Sequence, residues 1–310
     1  MERYAILGAG GSIGTPLMIE LLRNKKAVRL VSRRNAPWQD AESFKGDLTS
    51  ARDTLDAVKD CDVAFLCAGL PYVTKIWREL WPRVMSNTIE ACKRHKVRLI
   101  FVDNVYMYGK VDGKMTEETP YHPCGRKGEI RAGIALQLMK ETKEGNLQAS
   151  IARSADFYGP YATRTSVPYI LVIDRLRKGQ KAQWLVNVHA LHSYTYTLDC
   201  ARALFVLATH PESFNQVWHL PTMHPPITGT TFIEIAAKEL GVTPRYSVLS
   251  KWMLRLAGLG DTTIRESYEM LYQSEFDYYF DSTKFERHFN YSPTSYAEGI
   301  AGAVRFKDTN

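Results

Sequence analysis

Residues 8–14 read GAGGSIG, and their spacing speaks of phosphate binding. Gly8 permits a tight turn. Gly11 leaves backbone free to approach a pyrophosphate, and Gly14 lets a following helix lie close on a sheet. Ser12 and Ile13 belong to the same loop, where a helix N-terminus turns free N–H groups toward an anion. A second cluster follows at Ser32-Arg33-Arg34. A site that prefers NAD usually carries an acidic residue about 20 residues past the loop, for the ribose hydroxyls. Here a hydroxyl and two guanidinium groups stand there, and a planar guanidinium fork grips phosphate oxygens. The pattern predicts NADP(H) in preference to NAD(H), the alternative being a solvated basic turn.

These residues need elements to position them. Tyr4–Leu7 reads as a short buried strand, and Ile13, Leu17, Leu21 with Met18, Leu22 recur at helical spacing. Strand, glycine turn and helix are the context that a dinucleotide loop requires. Ala27–Val31 is a second strand, and a third precedes GDL at 46–48. The runs VAFLCAG (63–69) and VRLIFVDN (97–104) are a fourth and a fifth. Helical patterns separate them, which argues a parallel sheet covered on both faces: an α/β, doubly wound, Rossmann-type fold.

Composition narrows the class. The chain has 310 residues, 45% hydrophobic and 24% charged, with a formal net charge of +7. The basic residues are scattered without a run of five, so nucleic acid is not an expected partner. A polyanionic small ligand accounts for part of the excess. No stretch of about 18 apolar residues suggests a membrane span, and the first residues lack the features of a signal peptide. The five cysteines, Cys61, Cys67, Cys92, Cys124 and Cys200, are odd in number and lack metal-type spacing. They read as reduced thiols in a cytoplasmic protein, with no metal site.

The ordered set of motifs resembles the extended short-chain dehydrogenase/reductase superfamily, in its NAD-dependent epimerase/dehydratase group. The resemblance rests on GAGGSIG (8–14), KGDL (45–48), LCAG (66–69), Asn87 and VDNVYMYG (102–109). It continues through RSADFYGP (153–160), HSYTYTLDCARAL (192–204) and FDSTKFERHFNYSPTSYAEGI (280–300), nearly the whole chain. It implies a Rossmann domain over 1–158, with 188–222 returning to it. A smaller mixed α/β substrate-binding domain would take 159–187 and 223–310. By position, Asp47 and Leu48 look like adenine contacts, and Cys67, Ala68 and Gly69 like the floor under the ribose and phosphates. Asn87 looks like a residue bonded to the backbone of strand four. The family usually dimerises. Here the helix after Lys127 and the one ending near Lys96 would form that contact, with Gly133 and Ala135 allowing close approach.

The resemblance breaks where the family does its chemistry. Hydride transfer there is coupled to a proton from a tyrosine, whose pKa near 10 is lowered by a lysine four residues on. The tyrosine position falls on Cys124, the lysine position on Gly128, and the serine or threonine position on Asn104. This is similar to an atypical branch that keeps the fold and loses the triad. Replacements within reach are Cys124 as a thiol acid, Lys127 one residue away as cation and ribose contact, Asn104 as a donor to a substrate oxygen, and the phenol of Tyr108. Cys124 also reads as a small buried hydrophobe and Tyr108 as a packing residue. The arginines that grip a nucleotide-sugar diphosphate are missing too. His192 stands at one such position, and MLYQSEFDYY (270–279) lacks the other. Trp184, Trp218, Trp252, Tyr268, Tyr272, Tyr278 and Tyr279 would suit an apolar or planar ligand or fill a core. Three functions follow. The first is an NADPH-dependent oxidoreductase on a small non-nucleotide carbonyl or hydroxyl compound. The second is a catalytically silent NADP(H) sensor, and the third a nucleotide-sugar epimerase or dehydratase.

Overall fold

The computed structural model describes residues 2–34 and 38–307. Seven strands form the central sheet: β1 (Arg3–Leu7), β2 (Ala27–Ser32), β3 (Glu42–Lys45), β4 (Val63–Leu66), β5 (Arg98–Asp103), β6 (Ala149–Arg153) and β7 (Val217–His219). Their order is β7-β6-β5-β4-β1-β2-β3, and every pairing is parallel. The central strands are buried on both faces, so they read as apolar runs without alternation; all four residues of VAFL in β4 are inaccessible. The chain order reverses at β1, which pairs with β2 on one side and β4 on the other. Such a reversal leaves a crevice at the carboxyl ends of the strands.

Helices cover both faces. On one lie α1 (Gly14–Arg23) and α5 (Thr197–Thr209), packed through Leu17, Met18, Leu21, Leu204 and Leu207. On the other lie α2 (Ala51–Val58), α3 (Thr74–His95) and α4 (Arg126–Lys143), packed through Ala57, Trp81, Met85, Ile134 and Leu138. Local chemistry sets their ends. The Ser50 hydroxyl caps α2 by accepting from the Asp53 N–H. A third cluster joins α6 (Gly229–Leu240) and α8 (Tyr296–Arg305) to Tyr158, Tyr169, Trp184, Tyr194 and Tyr196. Between them the chain forms a short helix, α7 (Thr262–Ser267), whose segment lies over the ends of α3 and α4. Among the described residues, no helix is long and apolar enough to cross a membrane.

On α4, Gly133 is exposed but Ala135 is fully buried against the sheet. Only the first can meet a partner helix. Leu136, 59% exposed, occupies the outward face instead.

Candidate functional site

A cavity of about 1420 Å³ opens above the carboxyl ends of β1, β2, β4 and β5. Gly8, Gly11, Ser12 and Ile13 line it, as do Ser32, Arg33, Arg34, Asp47, Leu48, Cys67, Ala68 and Gly69. The three loop glycines meet different demands. Gly8 has φ +98°, and a Cβ there would lie 2.5 Å from the Ala68 Cα. Gly14 begins α1, and its Cβ would sit 3.1 Å from the Gly8 carbonyl oxygen. At Gly11 a Cβ would meet no protein atom closer than 3.8 Å. The protein does not need that glycine for its own packing, so the space above it belongs to the cavity. The residues therefore fit a dinucleotide: a glycine kept bare on the cavity side, a helix N-terminus behind it, and two arginines at the end of β2.

The surrounding turns are held by short polar contacts. The Ser32 hydroxyl donates to the Arg34 carbonyl, and Asp47 accepts from the Thr49 N–H and hydroxyl at 2.9 and 2.8 Å. Ser12 and Thr165 share a hydroxyl–hydroxyl bond of 2.5 Å, joining the glycine loop to the segment after residue 160. Burial pushes the Cys67 thiol up to about 12, so it stays protonated. Asn87 departs from the bond expected to strand four. Its Nδ2 donates to the Leu48 carbonyl at 2.9 Å, and the side chain braces the GDL turn from behind the cavity.

At the reactive end the four candidate catalytic residues separate. Asn104 lines the cavity. Its Oδ1 accepts from the Tyr106 N–H at 3.1 Å, which leaves the NH2 group as a donor. Tyr108 lies outside the lining, fully buried, with its hydroxyl bonded to His219 Nε2 at 2.8 Å and to Arg153 at 2.6 Å. Cys124 is exposed rather than buried and lies outside the cavity, its Sγ accepting from the Lys110 N–H at 3.2 Å. Lys127 is wholly buried and outside the lining. Its Nζ donates to Thr74 Oγ1, Glu266 O and Glu266 Oε2, each at 2.8 Å, and to Glu269 Oε1 at 2.9 Å. Gly128 explains why no cation reaches the cavity from the usual position. A Cβ there would lie 2.5 Å from the Tyr106 carbonyl oxygen, so backbone closes the place where a side chain would emerge.

Other residues occupy the reactive end. Tyr106, not Tyr108, presents its phenol to the cavity; it is hydrogen-bonded to Tyr72, and burial pushes it up to about 12. Arg131, one turn after Lys127, lines the cavity while paired to Asp103 and stacked over Trp81 at 4.4 Å. Asp156 and His192 also line it, with His192 Nε2 3.1 Å from Asp156 Oδ2. Sequence marked His192 only as a missing arginine and Asp156 only as part of a motif. Thirty-six residues separate them, and nothing local signals the pairing.

The fold and this crevice define a Rossmann-type nucleotide-binding protein. Residues 4–220 match the NAD dependent epimerase/dehydratase family, and the chain belongs to that family. It is 26% identical over 180 residues to dTDP-glucose 4,6-dehydratase of Mycolicibacterium smegmatis, a match covering 51% of this chain and 54% of the relative. The chain thus spans only about half of that relative's length. It is 26% identical over 226 residues to the decarboxylating sterol-4-alpha-carboxylate 3-dehydrogenase of Candida albicans, over 66% of this chain and 63% of the relative. In structure it resembles UDP-glucuronic acid 4-epimerase of Bacillus cereus, solved with UDP-glucuronic acid and NAD. That likeness has a TM-score of 0.80 at 18% identity, covers 97% of this chain and 98% of the other, and concerns the fold.

Proposed function

We propose that the protein is an NADP(H)-dependent oxidoreductase acting on a small, non-nucleotide carbonyl or hydroxyl compound, with acid/base residues other than tyrosine and lysine. The observation that carries this reading is the make-up of the cavity beyond Asn104. Tyr72, Trp77, Trp184, Leu185, Tyr194 and Met270 make it aromatic and apolar, and the guanidinium among these rings, Arg131, is already paired with Asp103, while Arg164 lines the cavity beside Thr165, which is bonded to Ser12 of the glycine loop. A nucleotide-sugar diphosphate calls for free cations, best a bidentate arginine. The glycine loop, Ser32 to Arg34, Asp47, Leu48 and Cys67 to Gly69 would hold the dinucleotide. When bound, the nicotinamide supplies or accepts the hydride. Asn104 would donate from Nδ2 to the substrate oxygen and orient it, and the aromatic walls would exclude water.

NADPH oxidation should be measured against aromatic and aliphatic aldehydes and ketones, with UDP- and dTDP-sugars as competitors. Turnover of a non-nucleotide carbonyl, unaffected by the sugar nucleotides, is the expected result. The dTDP-glucose 4,6-dehydratase relative favours the second reading, a nucleotide-sugar epimerase or dehydratase, whereas the sterol-carboxylate dehydrogenase accords with the first; conversion of a nucleotide sugar would establish the second. Tight NADPH binding without turnover of either class would leave the sensor.

A further inference from the structure

His192 is fixed on every side. Its ring stacks on Tyr278 at 4.3 Å and on Tyr194 at 4.5 Å, and it is 5% exposed. Nδ1 lies 3.1 Å from the Gln273 carbonyl oxygen. A carbonyl can only accept, so Nδ1 must carry a hydrogen. In a neutral imidazole Nε2 would then be bare. Yet Nε2 lies 3.1 Å from Asp156 Oδ2, and two acceptors at that distance need a proton between them. A proton placed between Nε2 and Oδ2 would satisfy both atoms. The pair borders the cavity: both residues line it, and the Asp156 side chain is 38% exposed.

The other titratable groups around the pair do not supply a better acid. Tyr72, Tyr106, Tyr272 and Tyr278 are phenols that burial holds protonated, and Glu269 is paired with Lys127.

We infer that the Asp156–His192 pair is the proton donor of the reaction, replacing the absent tyrosine. The inference rests on the oxidoreductase reading above. In the reducing direction a hydride adds to the carbonyl carbon as the C=O π pair moves to oxygen. That oxygen takes the shared proton, leaving neutral Nδ1–H histidine beside a carboxylate, and one proton taken up from bulk solvent reloads the pair. Oxidation of an alcohol is the reverse, with the pair accepting the proton.

Asp156→Asn tests this closely, because its NH2 can still donate to Nε2 while the mobile proton is gone. Reduction of whichever carbonyl compound turns over should fall by about 100-fold or more, the usual worth of a general acid, with NADPH affinity changed less than about twofold. Nitrogen-15 NMR of histidine-labelled protein supplies the readout independent of turnover. Native His192 should show the Nδ1 proton and a second proton shared between Nε2 and Asp156. Only the Nδ1 proton should remain in Asp156→Asn. A native His192 carrying its single proton on Nε2 overturns the proposal. Turnover that survives both Asp156→Asn and His192→Gln overturns it while leaving the oxidoreductase reading. A native protein that binds NADPH and reduces no carbonyl overturns both.

Discussion

Gly8 and Gly11 are one residue type in one loop, and the structure separates what each is for. At Gly8 both the positive φ and the 2.5 Å approach to Ala68 forbid a side chain. Gly8→Ala should destabilise the fold by about 1–3 kcal/mol, measured by denaturant unfolding of the protein without cofactor. Gly11→Ala meets open space, so it should unfold within about 0.5 kcal/mol of native. It should nonetheless lose NADPH binding by tenfold or more in a fluorescence titration. Equal losses of stability in the two variants would show that Gly11 serves packing. The arginines make a parallel prediction. Arg33→Ala with Arg34→Ala should remove most of the preference for NADPH over NADH. In the native protein that preference should shrink as salt screens the phosphate pairing. Equal native affinities for the two cofactors would defeat it.

Between elements, Lys127 does structural work in place of the catalytic work that its position suggested. It ties the first turn of α4 to Thr74 at the start of α3 and to Glu266 and Glu269 in the α7 segment. Glu266 also accepts from the Thr74 N–H at 2.9 Å, so one carboxylate caps α3 from outside its own chain segment. Thr263, Ser267, Met270 and Leu271 of the tied segment line the cavity, which makes the clamp a wall of the site. Lys127→Met would leave two acids facing each other, and removing one partner of a buried pair costs about 3–5 kcal/mol. The pH dependence has a definite sign. The Lys127 and Thr74 bonds outweigh burial and hold Glu266 at about 2, below its ordinary 4.5. A depressed carboxylate stabilises above its unfolded pKa and loses that contribution as pH falls toward its folded value. Protection factors for amide exchange across 262–275, corrected for the intrinsic pH dependence of exchange, should therefore fall between about pH 4.5 and 2. In Lys127→Met exchange should be fast at neutral pH, and unchanged exchange there would refute the clamp.

For the whole molecule, the sheet's crevice and the α7 segment enclose one continuous cavity, so ligand binding should stabilise the fold globally. NADPH at 100 times its dissociation constant should add about 2.7 kcal/mol, seen as a rise in Tm. Assembly is a separate expectation. A homodimer through α3 and α4 would place Gly133 and Leu136 at the contact, and Leu136→Glu should then convert the protein to a monomer in sedimentation at micromolar concentration. A native monomer under the same conditions would remove the dimer.

The sequence by itself determined the sheet and the glycine loop, because both are written in contiguous residues. Buried strands need apolar runs, a helix needs its 3.6-residue stripe, and a tight turn under a phosphate needs glycine at set spacing. Motif spacing also showed that Cys124, Gly128 and Asn104 stand where tyrosine, lysine and serine or threonine would be. It did not show which side chains fill the vacated space. Only the tertiary structure turned Lys127 away from the cavity, since one helix position is a rotation of about 100° and the Tyr106 carbonyl blocks the position beside it. Only the tertiary structure brought Asp156 to His192 across 36 residues, through the parallel pairing of Asp156–Tyr158 with Tyr194–Tyr196. Pairing across such distances depends on how the whole chain packs, and no local pattern of residues records it.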